Sequence, residues 1–414
     1  MYTLLDHQSS LDPHLQASLW KVGKYLLPRD LRKLYQETST VPKKLISVNE
    51  LANDDSSRCE LITVGTAEAL APYEFPCSSS GTIEQQFLNG RIAPPAWVAR
   101  LENGHSVGRH CLAMTADGTA LRETGFNLDM QLDPSRLRYG RHNLRRRRFR
   151  REGDLSQRRA LPAVERIRGT VATLNTVSSH NFYHWMVDIL PRWATLHRAG
   201  FEADYYLIDC QSQFQRRVLQ SLGIREEQLI QPHCGLNLQA DELLVPSKPS
   251  PECQRTLAQE LCERLVGHQQ NNAKRRIFIS RRNAATRRLA NEQDVEKLLT
   301  LQGFETHLFE EYDLATQCRL VNEAEVIVAT HGAGLANLQF ARPGTRVIEI
   351  IPAGRYNATC YPTMSRVFGL SHRILFAERA RWKQILTVSL EDLSLAVGAA
   401  HKTSSIRLQA AAAA

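Results

Sequence analysis

The stretch VIVATHGAGLANLQFARPGTRVIEI, residues 326–350, decides the fold that we expect for this chain. An apolar run leads into the glycine-containing turn His331–Gly334, a helix-like segment follows at once, and a second apolar run ends at Glu349-Ile350. The pattern predicts a buried strand, a tight turn, a helix and a further strand. This order of elements is typical of an open α/β sheet.

The same alternation of strand-like and helix-like segments extends along the chain from about residue 166. It predicts mostly parallel sheets with helices on both faces. The units are too many for one such sheet, and the proline-containing segment PSKPSPE at 246–252 separates them into two groups. We therefore predict two α/β domains, over residues 1–248 and 249–400, with only weak strand signals in the first 165 residues.

The composition is that of an ordinary globular protein, since 43% of the 414 residues are apolar and 23% are charged. No run of eighteen apolar residues and no secretory signal pattern is present in the sequence. The nine cysteines form no CxxC pair, which favours reduced thiols over a disulfide framework or a zinc site. We expect a cytoplasmic protein, either free or peripheral to a membrane.

A run of arginines, RRRRFRR at Arg145–Arg151, concentrates much of the net charge of +9. One interpretation is a solvated basic segment, and another is a surface that attracts an anionic membrane or an acidic polymer. Phe149 is its only aromatic residue, so the run gives poor support to a stacking platform for bases. We therefore expect no nucleic-acid partner.

The turn His331–Gly334 has a chemical interpretation as well as a structural one. Where a strand runs through a glycine turn into a helix, backbone N–H groups at the positive helix end suit a phosphate or diphosphate. Glu349 on the next strand could accept hydrogen bonds from ribose hydroxyls. The alternative is a packing turn beside a buried, paired glutamate. The spacing GxGxxN lacks the third glycine of the dinucleotide fingerprint.

Arg281 follows the strand-like segment RRIFIS directly. It is therefore expected at the carboxyl edge of the sheet, where open α/β folds bind their ligands. An arginine there can hold phosphate oxygens through two hydrogen bonds. Surface salt bridging is the alternative, and it is the interpretation that we prefer for Arg287 and Arg288.

The segment SSHNFYHWMVDILPRW, residues 178–193, spaces His180, His184 and Asp188 four residues apart, which places all three on one face of a predicted helix. Ser178 or Ser179 would cap that helix, and Pro191 would kink or end it. Three interpretations remain open for the face. It could hold a metal ion, the histidines could be satisfied in the core, or the carboxylate beside a histidine could act as a general base.

These three segments together, HNFYHWMVDILPRW, FISRRN with RRLANE, and VIVATHGAGLANLQFARPGTRVIEIIP, resemble glycosyltransferase family 61 in order and spacing. The resemblance covers roughly residues 165–375. It implies a GT-B-like α/β fold, in which two Rossmann-like domains face a central cleft. It also implies an inverting, metal-independent enzyme that transfers a sugar from a nucleotide-sugar donor, without a further cofactor, to a hydroxyl of a glycan or polysaccharide. Within that family, the absence of a leader or anchor pattern favours a bacterial polysaccharide enzyme over the members of the secretory pathway.

The resemblance also implies roles for individual residues. Asp188 corresponds to the base and His184 to its partner, while His180 and Asn181 would lie on the acceptor side, in the N-terminal domain. The C-terminal domain would hold the donor, which we expect to be a uridine diphosphate sugar. The residues implied in donor binding are Arg281, His331, Gly332, Ala333, Gly334 and Glu349.

Two other functions compete with sugar transfer. A nicotinamide dinucleotide-dependent dehydrogenase could use HGAGLAN as its phosphate loop, although the missing third glycine counts against it. A non-catalytic relative could bind a sugar or an acidic polymer through the arginine run. Hydrolysis of a nucleotide sugar by the purified protein would separate the enzyme from the binding protein.

Overall fold

The computed structural model describes most of the chain from residue 44 onward. Among the described residues, none of the helices is long and apolar enough to cross a membrane. The arginine run Arg145–Arg151 lies outside the described residues, so its role stays a prediction. The described ranges are 44–54, 58–70, 91–124, 163–176, 178–233, 235–267, 274–353, 359–379 and 385–398.

The strands belong to two large sheets and one short hairpin. Their bounds are β1 (Lys44–Ile46), β2 (Cys59–Val64), β3 (Glu68–Leu70), β4 (Arg91–Ala93), β5 (Ala96–Glu102), β6 (His105–Val107), β7 (Leu112–Met114), β8 (Thr119–Leu121), β9 (Glu165–Thr173), β10 (Tyr205–Leu207), β11 (Leu229–Ile230), β12 (Asn237–Pro246), β13 (Arg275–Ile279), β14 (Arg288–Leu289), β15 (Glu305–His307), β16 (Ala324–Thr330), β17 (Arg346–Pro352), β18 (Ser371–Arg379) and β19 (Ile385–Thr387).

Helices connect most of the later strands. Their bounds are α1 (Val48–Ala52), α2 (Phe182–His184), α3 (Pro191–Arg198), α4 (Gln213–Ser221), α5 (Pro251–Val266), α6 (Glu292–Leu301), α7 (Leu314–Asn322), α8 (Cys360–Val367) and α9 (390–398), with a π-helical turn at Trp185–Ile189 and 3₁₀ segments at Arg122–Thr124, Glu226–Gln228, Phe309–Glu311 and Ala333–Phe340.

The first sheet has ten strands and is mixed, whereas we predicted mostly parallel strands. β12 pairs in parallel with β9, which continues in parallel to β10 and β11. On its other side β12 pairs antiparallel with β5 and β6. The antiparallel strands come from residues 59–121, where short connections such as Asp117-Gly118, with Gly118 at φ +90°, return the chain as hairpins.

The second sheet has seven strands, and its centre follows the predicted βαβ alternation. β15, β13, β16, β17 and β18 run in parallel, and β19 returns antiparallel to β18. The register aligns Ile279 with Ala329, and Ala329 with Glu349. The carboxyl ends of β13, β16 and β17 therefore meet at one edge, which is where Arg281 and the turn His331–Gly334 follow.

The two large sheets share one hydrophobic core. A single cluster of buried side chains contains Ala172 and Leu244 of the first sheet as well as Ile277 and Ile327 of the second. Helices α3, α5 and α7 and the 3₁₀ segment contribute to the same cluster. The structure is thus a mixed α/β fold with two packed sheets. The GT-B architecture and a boundary at residue 248 stay predictions.

Candidate active site

The segment before α2 is a turn rather than the start of a longer helix. Ser178 has φ +63°, a left-handed conformation that no helix interior adopts. Asn181 is the N-cap, and its Oδ1 atom accepts a hydrogen bond from the Tyr183 N–H at 2.9 Å. His180 therefore lies in the turn, exposed, and does not share a helical face with His184 and Asp188. The predicted cap at Ser178 or Ser179 is wrong for the same reason.

His184 and Asp188 form the pair that their spacing predicts. The His184 Nδ1 atom lies 2.7 Å from Asp188 Oδ2, and the side chains are 38% and 24% exposed. Asp188 sits in the π-helical turn, which is closed by the Leu190 N–H bonding the Trp185 carbonyl at 2.9 Å. Pro191 follows as the first residue of α3. The proline thus marks a change of helical pitch, and the paired carboxylate remains accessible to solvent.

The turn after β16 is shaped by two side chains from other segments. The Tyr361 hydroxyl donates to the Gly332 carbonyl oxygen at 2.6 Å. The Arg281 guanidinium lies so close to Gly332 that a β-carbon at residue 332 would overlap it. The 3₁₀ segment that begins at Ala333 takes the place of the predicted α-helix. The structure therefore brings Arg281 and the glycine turn together, as the sequence predicts.

Glu349 lies behind His331 rather than at the surface. Its side chain is fully buried, with Oε1 contacting His331 Nδ1 and Oε2 lying 3.0 Å from His372 Nε2. His372 in turn lies 2.8 Å, through Nδ1, from the Ser365 hydroxyl. Burial alone would raise the pKa of Glu349, but its hydrogen bonds to His331 and His372 outweigh burial and lower it. This geometry favours a carboxylate that orients His331 over the direct ribose contact that we expected.

An aromatic contact joins the two halves of the site. The Tyr183 ring, next to His184, packs edge-on against the Tyr361 ring with centroids 5.4 Å apart. Tyr361 also packs edge-on against His331 at 4.9 Å. Burial raises the pKa of both tyrosine hydroxyls well above the usual range, so both remain protonated hydrogen-bond donors. We call this Tyr183–Tyr361 contact the tyrosine seam.

Sequence reasoning did not find Tyr361, His372 or Tyr183. Tyr361 and His372 follow the turn by 29 and 40 residues and belong to no pattern that spacing could reveal. Arg287 was expected at the surface, but it is partly buried. Burial has the larger effect on the pKa of Tyr361 and raises it, while the positive charge of Arg287 acts in the opposite direction. The sequence did indicate that Glu349 has a partner, because a glutamate inside an apolar strand needs one. It did not indicate which residue the partner is.

No group of three histidine, cysteine, aspartate or glutamate side chains that could hold a metal ion occurs among the described residues. His184 and Asp188 are paired with each other, and His180 lies outside the helix. Metal independence stays a prediction, which activity in the presence of a chelator can test.

The candidate site lies in the part of the chain that is similar to a known protein family. Residues 182–348 match the model of the family Glycosyltransferase 61. The matched stretch contains the His184–Asp188 pair, Arg281 and the turn His331–Gly334.

A plant protein is similar to this chain over a shorter stretch. It is a rice protein (Oryza sativa subsp. japonica) named as the beta-1,2-xylosyltransferase XAX1, and it is 36% identical over 91 residues. The aligned stretch is 22% of this chain and 16% of the rice protein. The chain thus spans about a sixth of the length of that relative.

Proposed function

We propose that this protein is an inverting glycosyltransferase that moves a sugar from a uridine diphosphate sugar to a hydroxyl group of a glycan or polysaccharide. The observation that carries the proposal is the tyrosine seam. Tyr183 of the seam packs against His184. Tyr361 of the seam donates to the carbonyl oxygen of Gly332, which the Arg281 guanidinium also approaches. A candidate base and a candidate diphosphate site are thereby parts of one constellation.

Asp188 is the base in this mechanism. Its carboxylate accepts the proton of the acceptor hydroxyl, while the acceptor oxygen forms a bond to the anomeric carbon. The bond from that carbon to the diphosphate oxygen breaks on the opposite face, and its electron pair leaves with the diphosphate. His184 orients the carboxylate through the 2.7 Å contact of Nδ1 with Oδ2.

The leaving diphosphate acquires negative charge, which the other half of the constellation is suited to stabilise. Arg281 offers a guanidinium beside Gly332, and the start of the 3₁₀ segment offers backbone N–H groups of the turn. His331 lies at the same turn, supported from behind by Glu349. Arginine and N–H groups together supply the positive character that a metal ion provides in other transferases.

The acceptor side is proposed to begin at the exposed turn before α2. His180 is exposed there, next to Asn181. Because the Asn181 carbonyl oxygen already caps the helix, its amide N–H₂ group is the part available for an acceptor hydroxyl. The acceptor itself would be a polyhydroxylated chain that reaches Asp188 from this side.

A panel of nucleotide sugars tests the proposal. The purified protein is incubated with uridine, guanosine and cytidine diphosphate sugars, and release of the nucleoside diphosphate is measured with and without polysaccharide acceptors. Uridine diphosphate xylose is the first donor to test, because the rice relative is named as a xylosyltransferase. We expect release from a uridine diphosphate sugar, in excess EDTA as well. No release from any donor would support a non-catalytic binding protein, and release restored only by Mn²⁺ or Mg²⁺ would refute metal independence.

A further inference from the structure

Arg192 connects the turn that contains Asp188 to the end of a central strand. Its Nε atom donates to the backbone carbonyl of Asp188 at 3.1 Å, and its Nη1 atom donates to the carbonyl of Pro246 at 2.9 Å. Pro246 is the last residue of β12, which lies in the middle of the first sheet. A single guanidinium thus fixes the backbone of Asp188 to the rigid part of the sheet.

This connection lies where the helical backbone is weakest. Pro191 has no N–H group, so the junction between the π-helical turn and α3 lacks one backbone hydrogen bond that a regular helix would have. The hydrogen bond from the Arg192 side chain to the Asp188 carbonyl is made at this junction. The position of the Asp188 backbone therefore depends on a side chain as well as on helical hydrogen bonds.

Arg192 and Asp188 also interact through their charges. Burial lowers the pKa of Arg192, and the negative charge of Asp188 is the first influence that opposes burial. The Cys111 thiol is the next, but burial raises the pKa of that thiol to about 11, so it is neutral near pH 7. Asp188 is thus the carboxylate whose charge offsets the burial of the Arg192 guanidinium.

We propose that Arg192 is a positioning residue for transfer: it holds the Asp188 carboxylate in place through the backbone carbonyl of Asp188. This inference rests on the proposed function, in which Asp188 is the base. Arg192 itself touches no substrate in this mechanism. Its loss should lower the rate of the chemical step and leave the donor site unchanged.

The experiment compares Arg192→Ala with Arg198→Ala. Arg198 lies on the same helix and also contacts the segment after β12, through Glu252 and Thr256, but it is distant from Asp188 in this network. Nucleoside diphosphate release from the active uridine diphosphate sugar gives kcat and KM, and calorimetry gives the affinity for uridine diphosphate. Guanidinium chloride at millimolar concentration, far below denaturing levels, is then added to each variant to occupy the space of the lost side chain.

We expect Arg192→Ala to lower kcat by on the order of 10²-fold, as small displacements of a reacting group do, with KM and diphosphate affinity nearly unchanged. Guanidinium should restore part of kcat in Arg192→Ala, whereas sodium chloride at the same ionic strength should not. Arg198→Ala should keep the wild-type kcat and show no rescue. If Arg192→Ala does not fold, Arg192→Lys, which retains the charge but can donate to only one of the two carbonyls well, replaces it and should show an intermediate kcat.

The inference would be overturned if the Arg192 variants kept a kcat within about threefold of wild type. Such a change is smaller than one factor of ten in rate. Equal losses in Arg192→Ala and Arg198→Ala would also overturn it, since they would show a general effect on helix α3. A wild-type protein that releases no nucleoside diphosphate would instead refute the proposed function itself. The two failures are therefore distinguishable.

Discussion

The Arg281 guanidinium fills the space in which a side chain at Gly332 would lie. Gly332 is extended, at φ 177°, so backbone conformation does not require a glycine there. The close approach of the guanidinium does. The glycine and the arginine, 51 positions apart in the sequence, thus form one unit of the proposed donor site.

Gly332→Ala should behave as a variant of Arg281. The new methyl group displaces the end of a flexible side chain, so the fold should persist while the affinity for uridine diphosphate falls. Gly334→Ala is the matched control, because its β-carbon would meet Ile279 at 3.4 Å, an ordinary contact. Calorimetry and thermal unfolding of both variants check this. Equal diphosphate affinity in the two would show that Arg281 does not act from its observed position.

Arg281→Ala should weaken uridine diphosphate binding by about 1.5–3 kcal/mol, the range for hydrogen bonds to charged groups. Binding of uridine, which has no phosphate, should change little. The neighbouring Arg282 is 46% exposed and pairs with Glu296, so Arg282→Ala is the control and should bind both ligands normally. Titrations with the two ligands decide the matter, and a normal diphosphate affinity in Arg281→Ala would place the phosphates elsewhere.

Asp188→Asn should preserve the fold and the affinity for uridine diphosphate but reduce transfer by on the order of 10²–10⁴-fold, the usual contribution of a general base. The amide keeps the shape of the carboxylate and can still contact His184, but it cannot take the acceptor proton. Turnover and diphosphate affinity are measured on the same preparation. Turnover within about threefold of wild type, well short of that general-base range, would remove Asp188 from the mechanism.

Tyr361→Phe removes only the hydroxyl that donates to the Gly332 carbonyl at 2.6 Å. The ring and the tyrosine seam remain, so the fold should change little. We expect uridine diphosphate affinity to fall by about 0.5–1.5 kcal/mol, the net value of a neutral hydrogen bond. Tyr206→Phe, in which a buried hydroxyl near Ala203 is lost far from the turn, serves as the comparison and should bind normally.

Glu349→Gln should lower the free energy of unfolding near pH 7 by about 1.5–3 kcal/mol, the range for hydrogen bonds to a charged group, because an amide replaces the buried carboxylate that contacts His331 and His372. The native pKa of Glu349 is lowered below the ordinary 4.5, so its contribution to stability is present above pH 4.5 and is lost as the pH falls through the native value. The difference between variant and wild type should therefore shrink in acid. Urea unfolding at several pH values measures it.

The control for this variant is Glu325→Gln. Glu325 is 37% exposed and pairs with Arg276 and Arg346 near the start of the neighbouring strand. Its replacement should cost no more than about 1 kcal/mol, as for other surface ion pairs. An equal cost in the two variants would contradict the coupling of Glu349 to its two histidines.

The centre of the second sheet was predictable because hydrophobic periodicity and glycine turns are local signals. The same signals placed Arg281 and the turn His331–Gly334 at a common edge, and a spacing of four residues paired His184 with Asp188. These features depend on neighbours along the chain. Each follows from strand or helix geometry alone.

The remaining features depend on contacts between distant segments. The mixed first sheet arises from pairing of β5 and β6 with β12, at least 130 residues later in the chain, which no local pattern reveals. The sequence before Pro191 is compatible with a simple proline kink as well as with the π-helical turn at Trp185–Ile189. No local pattern distinguishes the two. Tyr361 and His372 become part of the site only when α8 and β18 pack beside the turn.

The hydrophobic core common to both sheets has a consequence for the history and the engineering of this protein. Many two-domain enzymes diversify by exchanging one domain as a module, which requires that each half retain its own interior. Here Ile277 and Ile327 pack in the same interior as Ala172 and Leu244, so a half expressed alone would expose an apolar surface that the other half normally covers. New specificity in this scaffold should therefore arise through substitutions more readily than through exchange of halves, because an exchanged half would need a partner that covers the same apolar surface.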